Sequence, residues 1–158
     1  MRVVPFDEID SYLGQETHRS DWFTVDQDRI NAFADATLDH QWIHVDVEEA
    51  DAGPFGSTIA HGFLTLSLLP HLGSGSLIVP EGVAMAINYG SDKVRFLSPV
   101  NVGSRIRLVS TFTGFSEKSP GRYLITQSVV MEIEGSDTPA LIADTLTLVV
   151  MNDSTKGT

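Results

Sequence analysis

Between Phe55 and His71 the chain reads FGSTIAHGFLTLSLLPH, and beyond its small opening residues almost every position is apolar. Ile59, Ala60, Phe63, Leu64, Leu66, Leu68 and Leu69 leave no polar stripe. The segment therefore predicts a buried helix with start chemistry at Gly56, Ser57 and Thr58 and a stop at Pro70. A run of roughly a dozen residues is too short to span a bilayer and reads as a core helix wrapped by other elements. His61 and Gly62 fall in its first turn. Amides there lack intrahelical acceptors and the helix dipole is positive, so a partly negative oxygen could be held.

Upstream, Phe6–Leu13 predicts a short helix stopped near Gly14, and SDWFTV at Ser20–Val25 a strand. Asp26 then caps a helix carrying Ile30, Phe33, Ala34 and Thr37 at helical spacing, with the pattern breaking after Ala36. The segment from Thr37 to Gly53, TLDHQWIHVDVEEADAG, is dense in titratable groups and predicts a loop with a brief acidic helix at Asp46–Asp51, the kind of setting where sites lie. Downstream of a flexible GSGS turn at Gly73–Ser76, five β-branched segments predict strands: Val83–Tyr89, Val94–Leu97, Arg105–Phe112, Tyr123–Ile133 and Leu141–Val150. The last seven residues, NDSTKGT, predict a disordered end. Helices first and antiparallel strands after make an α+β layout in one domain, with the sheet curled around the apolar helix. Such a sheet leaves an edge strand to protect, and pairing two copies is a common remedy.

The chain of 158 residues has no cysteine, which excludes disulfides, thiolate metal sites and a cysteine nucleophile, and fits a reducing, cytoplasmic setting. Its first dozen residues lack the charged and then apolar run of a secretory leader, and no stretch reaches membrane-spanning length. A net charge of −11 argues against non-specific nucleic-acid binding. Thirteen of the 21 acids fall between Asp7 and Asp51, whereas Lys93, Arg95, Arg105, Arg107, Lys118 and Arg122 share a segment whose one acid is Glu117. That basic group is either a solvated sheet face or a landing site for a phosphorylated ligand.

The run FADATLDHQWIHVDVEEADAGPFGSTIAHGFLTLS, Phe33–Ser67, resembles the hydratase signature of the MaoC-like dehydratases, the R-specific enoyl-CoA hydratases with a hot-dog fold, and is most similar to their nodulation protein N type branch. NYGSDKVRFLSPVNVGSRIR at Asn88–Arg107 also resembles the family's strand after the central helix, so the likeness extends along nearly the whole chain. The combination is specific: an Asp, a His five residues on, and a Phe-Gly…Ile-Ala-His-Gly helix start rarely coincide.

Carried over by position, the resemblance puts the catalytic pair on Asp39 and His44 and the oxyanion-holding backbone amide on Gly62. It implies reversible syn hydration of trans-2-enoyl thioesters to (3R)-hydroxyacyl-CoA, with no metal or redox cofactor, acyl-CoA as partner and a homodimer as the assembly. The chemistry asks for the same parts: a base for water, a proton for Cα on the same face, and donors for the developing enolate oxygen. His44 is the better base, since an ordinary imidazole is largely neutral at working pH. Asp39 then carries the Cα proton, which requires burial by neighbours such as Trp42, Ile43 and Phe63. The opposite assignment stays open.

Gln41, Trp42, Phe55, His61, Lys93, Arg95 and Arg105 are the candidate substrate-binding residues. Trp42 and Phe55 line an acyl channel or close the core, and His61 anchors loops beside the site. Two positions depart from the family pattern: Gln41 and Trp42 replace its usual Asn-Pro, and Pro70 stands where some relatives carry a serine. His40 reads as solvated, His71 as a helix-end residue, and the acids between Asp46 and Asp51 as a solvated turn and not a metal site. The alternatives to a hydratase are a hot-dog acyl-CoA thioesterase, which needs an acid or base at the carbonyl but not this pair, and a non-catalytic acyl-thioester binding module.

Overall fold

The computed structural model describes residues 1–152. The chain opens with β1 (Arg2–Val4), a 3-10 helix over Phe6–Tyr12, β2 (Glu16–Arg19) and β3 (Phe23–Thr24). Asp26 caps α1 (Gln27–Thr37) by accepting from the Arg29 amide at 2.9 Å, and the face carrying Ile30 and Ala34 is buried. Helix α1 ends because Leu38 adopts a left-handed φ of 62°, which turns the chain toward Asp39. Two single-turn helices follow, α2 (Trp42–Val45) and α3 (Val47–Asp51), the second capped by Asp46 through the Glu49 amide.

The apolar helix is shorter and more open than its sequence predicts. It begins at Gly62, not at Gly56–Thr58, and comprises α4 (Gly62–Ser67) and α5 (Leu69–Leu72). The residues before it are bound elsewhere: Ile59 donates to the Ile43 carbonyl at 3.0 Å, Ala60 to Val100 at 2.8 Å, and Thr58 accepts from Val102 at 2.9 Å. Pro70 does not stop the helix, because it stands in the first turn of α5, where its missing N–H costs least. Phe63 is 66% exposed, so the helix is not buried on all sides.

After β4 (Ile78–Pro80) come four long strands: β5 (Val83–Phe96), β6 (Arg105–Ser119), β7 (Arg122–Ile133) and β8 (Leu141–Met151). They form an antiparallel sheet in the order β2-β6-β7-β8-β5, with β3 also on β6. This is the α+β layout, a sheet around a core helix, that the hot-dog resemblance implies. The two segments expected at Val83–Tyr89 and Val94–Leu97 are one strand. Its register shifts between Asp92 and Arg95, and Lys93 takes a φ of 52° there, so the chain stays in the sheet through an irregularity. Within the expected strand Ser20–Val25 just Phe23–Thr24 pairs, and β1 and β4, unmarked in the sequence, pair in parallel. Asn152 donates its amide to the Gly82 carbonyl at 2.8 Å, while the rest of the expected disordered end, 153–158, lies outside the described residues.

The concave face holds two buried apolar clusters. One joins Leu64, Leu68 and Leu72 of the helix to Leu108, Val129 and Leu141, and the other joins Ile9 and Val79 to Phe112, Ile125 and Val149. Each fully buried side chain of this size stabilises the fold by roughly 1.5–3 kcal/mol. No helix among the described residues is long and apolar enough to cross a membrane.

Candidate active site

The head of α4 and the loop after α1 meet where Asp39, His44, His61 and Gly62 lie. His44 sits in the turn α2 and is 7% exposed. Its Nδ1 is 2.7 Å from the Ile59 carbonyl, which can only accept, so Nδ1 carries the proton and the neutral ring keeps its lone pair on Nε2. Burial pushes the His44 pKa below its ordinary value; the Ile59 carbonyl opposes this, His61 adds to it, and Asp39 opposes it. His44 is therefore neutral at neutral pH.

His61 is the residue before α4, 4% exposed, with its ring stacked on that of His44 at 3.7 Å between centroids. Its Nε2 donates to the Asp39 backbone carbonyl at 2.9 Å and lies 4.0 Å from the Asp39 carboxylate. One contact thus fixes the backbone that presents Asp39. The Asp39 side chain itself is 55% exposed, and Phe63 points largely to solvent, so within one chain the expected apolar burial of Asp39 is not present.

Nitrogens of His44 and His61 and an oxygen of Asp39 lie within 4.8 Å of one another, the spacing of a metal-ligand set. Each imidazole has one nitrogen committed to a carbonyl, which leaves His44 Nε2 and His61 Nδ1 as the ring nitrogens not so engaged. Asp46 spends its carboxylate on capping α3, and the acidic run after it forms no such group among the described residues.

Gly62 opens α4, so its amide has no intrahelical acceptor. Space there is tight: a Cβ at Gly62 would stand 3.1 Å from three atoms of the Phe96 ring, which would have to give by a few tenths of an ångström. Phe96 in turn meets Phe63 edge-on at 5.7 Å. The sequence reading missed Gln27 and Thr58. Gln27 donates from Nε2 to the His44 carbonyl at 2.8 Å and accepts the buried Thr58 hydroxyl at 2.5 Å, tying α1, α2 and the approach to α4 together behind His44. No local pattern marks Gln27, and the helix-start pattern that marks Thr58 points to a different role.

The remaining candidates scatter. Gln41 is exposed beside Asp39; the Trp42 ring packs on Gly53; Phe55 is 40% exposed and its carbonyl accepts from Asn101. The basic residues form no single patch. Arg105 and Arg107 on β6 pair with Glu134 and Glu132, whereas Lys93 and Arg95 lie on β5, three strand spacings or roughly 14 Å across the sheet. Lys93 pairs with Asp144 at 2.9 Å, a bond that raises its pKa, while Arg95 reaches just the Val94 carbonyl and has no acidic partner among the described residues. His40 pairs with Asp35 at 2.9 Å, and His71 stacks edge-on against Phe23.

A cavity of about 800 Å³ lies close by but does not touch Asp39 or His44. It starts one helical turn beyond Gly62, at Leu66 and Ser67, and runs between α4–α5 and the concave face of the sheet. On β5 its wall includes Val94, two residues from the Phe96 that covers Gly62, so site and cavity share the same helix and strand.

A family model described as MaoC like domain matches residues 8–132. The chain is 51% identical over 139 residues to 3-hydroxyacyl-thioester dehydratase Z of Mycobacterium tuberculosis, covering 88% of this chain and 91% of that protein. It is 43% identical over 160 residues to Nodulation protein N of Rhizobium leguminosarum bv. viciae, covering 99% of each. Among solved structures, a monoamine oxidase regulatory protein from Archaeoglobus fulgius superposes with a TM-score of 0.77 at 26% identity over 96% of this chain and 97% of that one. An (R)-hydratase from A. caviae involved in PHA biosynthesis superposes with a TM-score of 0.64 at 20% identity over 84% and 95%, a likeness of fold.

Proposed function

The chain belongs to the MaoC-like dehydratase family, and on that premise we propose that it is an R-specific enoyl-CoA hydratase, run in reverse a (3R)-hydroxyacyl-CoA dehydratase, in the fatty-acid metabolism of the cytoplasm. The observation that supports this reading is the head of α4, where a neutral His44 has a ring nitrogen within 4.8 Å of an Asp39 carboxylate oxygen and Gly62 opens the helix with its amide unclaimed by it.

In the hydration direction, His44 Nε2 takes a proton from water as the water oxygen bonds to Cβ. The π electrons move onto the thioester, and the enolate oxygen is held by the Gly62 N–H. Asp39 gives a proton to Cα on the same face, so that water adds syn, and the pair exchanges the proton it holds to reset. The burial Asp39 needs for this comes from substrate and a second subunit. The exposed apolar surface of Phe63, Phe96 and Leu97, with Met85, Ile87 and Tyr89 on the edge strand β5, supports a homodimer that covers this region. Light scattering at working concentration that yields a monomer mass alone would remove that arrangement.

The cavity beside α4 would take the acyl tail, and Arg95, the unpaired cation on β5, would attract CoA phosphates. No metal or redox cofactor enters these steps. The test is loss of enoyl-thioester absorbance when the purified protein meets crotonyl-CoA, followed by chiral analysis of the product. Release of free CoA thiol without hydration would point instead to a thioesterase, and binding without either reaction to a non-catalytic module.

A further inference from the structure

The concave face of the sheet changes character halfway along three of the four long strands. On β6, Ser110 separates Leu108 of one apolar cluster from Phe112 of the other; on β7, Gln127 separates Val129 from Ile125; on β8, Thr145 and Thr147 separate Ala143 from Val149. The register sets Gln127 opposite Thr145, Thr145 opposite Ser91, and Thr147 opposite Asn88, while Ser110 stands opposite Val129 and so diagonal to Gln127, and together these positions form a polar belt across the sheet. All of them line the cavity beside the helix.

A belt that served merely to close the core would have its polar groups paired internally. Gln127, 5% exposed, does spend its Nε2 on the Ser76 carbonyl at 3.1 Å, and the Thr145 hydroxyl reaches the Gln127 carbonyl at 3.4 Å. The Ser110 hydroxyl does not: the residue is 1% exposed, lines the cavity, and its oxygen has no hydrogen-bond partner. A hydrocarbon tail laid here would leave that donor unpaired, whereas a tail with an oxygen at this depth would satisfy it. Pro70 and Gly73 line the same cavity, roughly 12–16 Å along the helix axis from Gly62, so the belt is met by the distal part of a chain and not by a crotonyl group.

We infer that the cavity selects medium-chain acyl thioesters whose distal end bears a hydroxyl or keto oxygen, received by Ser110 within the polar belt that Gln127 and Thr145 complete. The inference rests on the acyl-thioester reading of the site for its tail and carbonyl, and it adds the class of tail. It asks for no reaction at the distal oxygen, which is bound and released unchanged.

The test is calorimetric titration of the intact protein with two unreactive ligands, a saturated medium-chain acyl-CoA and its ω-hydroxylated counterpart. One added hydrogen bond to a buried hydroxyl corresponds to about five- to tenfold tighter binding of the hydroxylated ligand. Ser110→Ala should shrink that preference to within about twofold, and Thr145→Val, isosteric and on the neighbouring strand of the belt, should also narrow it. Equal or tighter binding of the plain tail overturns the inference, as does a preference that survives in whichever of these variants folds. Because neither ligand reacts, a hydroxyl preference in a protein that fails to hydrate crotonyl-CoA would retire the hydratase reading alone, and hydration without the preference would retire this inference alone.

Discussion

Replacing His44 by asparagine separates the ring's two jobs. The side-chain amide nitrogen of asparagine takes the place of Nδ1 and can keep the 2.7 Å bond to the Ile59 carbonyl, while nothing stands where Nε2 was. What the fold loses is the imidazole stacked on His61 at 3.7 Å, worth about 0.5–1.5 kcal/mol, or roughly 1–6 °C in Tm for a chain of this size. The reaction loses its base, and kcat for crotonyl-CoA hydration should fall by about 10²–10⁴, equivalent to roughly 2.7–5.4 kcal/mol of barrier. His44→Gln is the complementary variant: its longer side chain leaves the Ile59 carbonyl buried without its donor, so it should lose activity and also a further 1–3 kcal/mol or so of stability. Thermal melts and initial rates on the same preparations read both effects. An asparagine variant that melts near wild type and hydrates crotonyl-CoA within tenfold of it would refute the assignment of His44 as base.

Burial lowers the His44 pKa, so below the ordinary histidine value of about 6.5 the unfolded chain takes up a proton that the folded chain refuses. Tm should therefore drop as the pH falls from about 7 to about 5, by more in wild type than in His44→Asn, and equal slopes would remove the effect. Gly62→Ala should push a methyl into the Phe96 ring and lower kcat/KM at least tenfold, whereas Gly62→Ala with Phe96→Leu should recover part of the lost Tm; an alanine variant of normal activity would show that the ring gives way freely. Arg95→Ala should raise KM for acyl-CoA and flatten its salt dependence, while Arg105→Ala, whose charge is already engaged by Glu134, should change KM by less than twofold; the reverse order would move the phosphate contact to β6.

The parts of the fold that depend on neighbours in sequence were legible. Asp26 and Asp46 announce helices because a cap needs just its own side chain and an amide three residues on, and β6 to β8 carry β-branched runs long enough to fix them. The start of the apolar helix was not, because Thr58, Ile59 and Ala60 spend their backbone on Val102, Ile43 and Val100, partners far along the chain or on another element. The same holds for β1 and β4, three residues each, whose parallel pairing has no local signal. Within the site, the motif marked Asp39, His44 and Gly62, but periodicity could not reveal Gln27 behind His44, since that contact spans 17 residues and involves a backbone carbonyl. The basic segment misled for a geometric reason: β5 and β6 follow one another in the chain but lie three strands apart in the sheet, and Lys93, Arg105 and Arg107 each stand beside an acid.

Asp39, His44, His61 and Gly62 all precede the first long strand of the sheet, whereas the lining of the large cavity lies entirely after Gly62, on the helix body, the turn that follows it and the strands. On the proposed reading, bond-making and tail recognition therefore sit on separate stretches of chain. Substitutions on the concave face can shift which tails are accepted without disturbing the histidine stack, so lineages can diversify in diet at constant chemistry. A copy that loses His44 would keep its grip on the tail, and a duplicate decaying in that way has a short route to becoming a carrier or a sensor of the molecules its ancestor transformed.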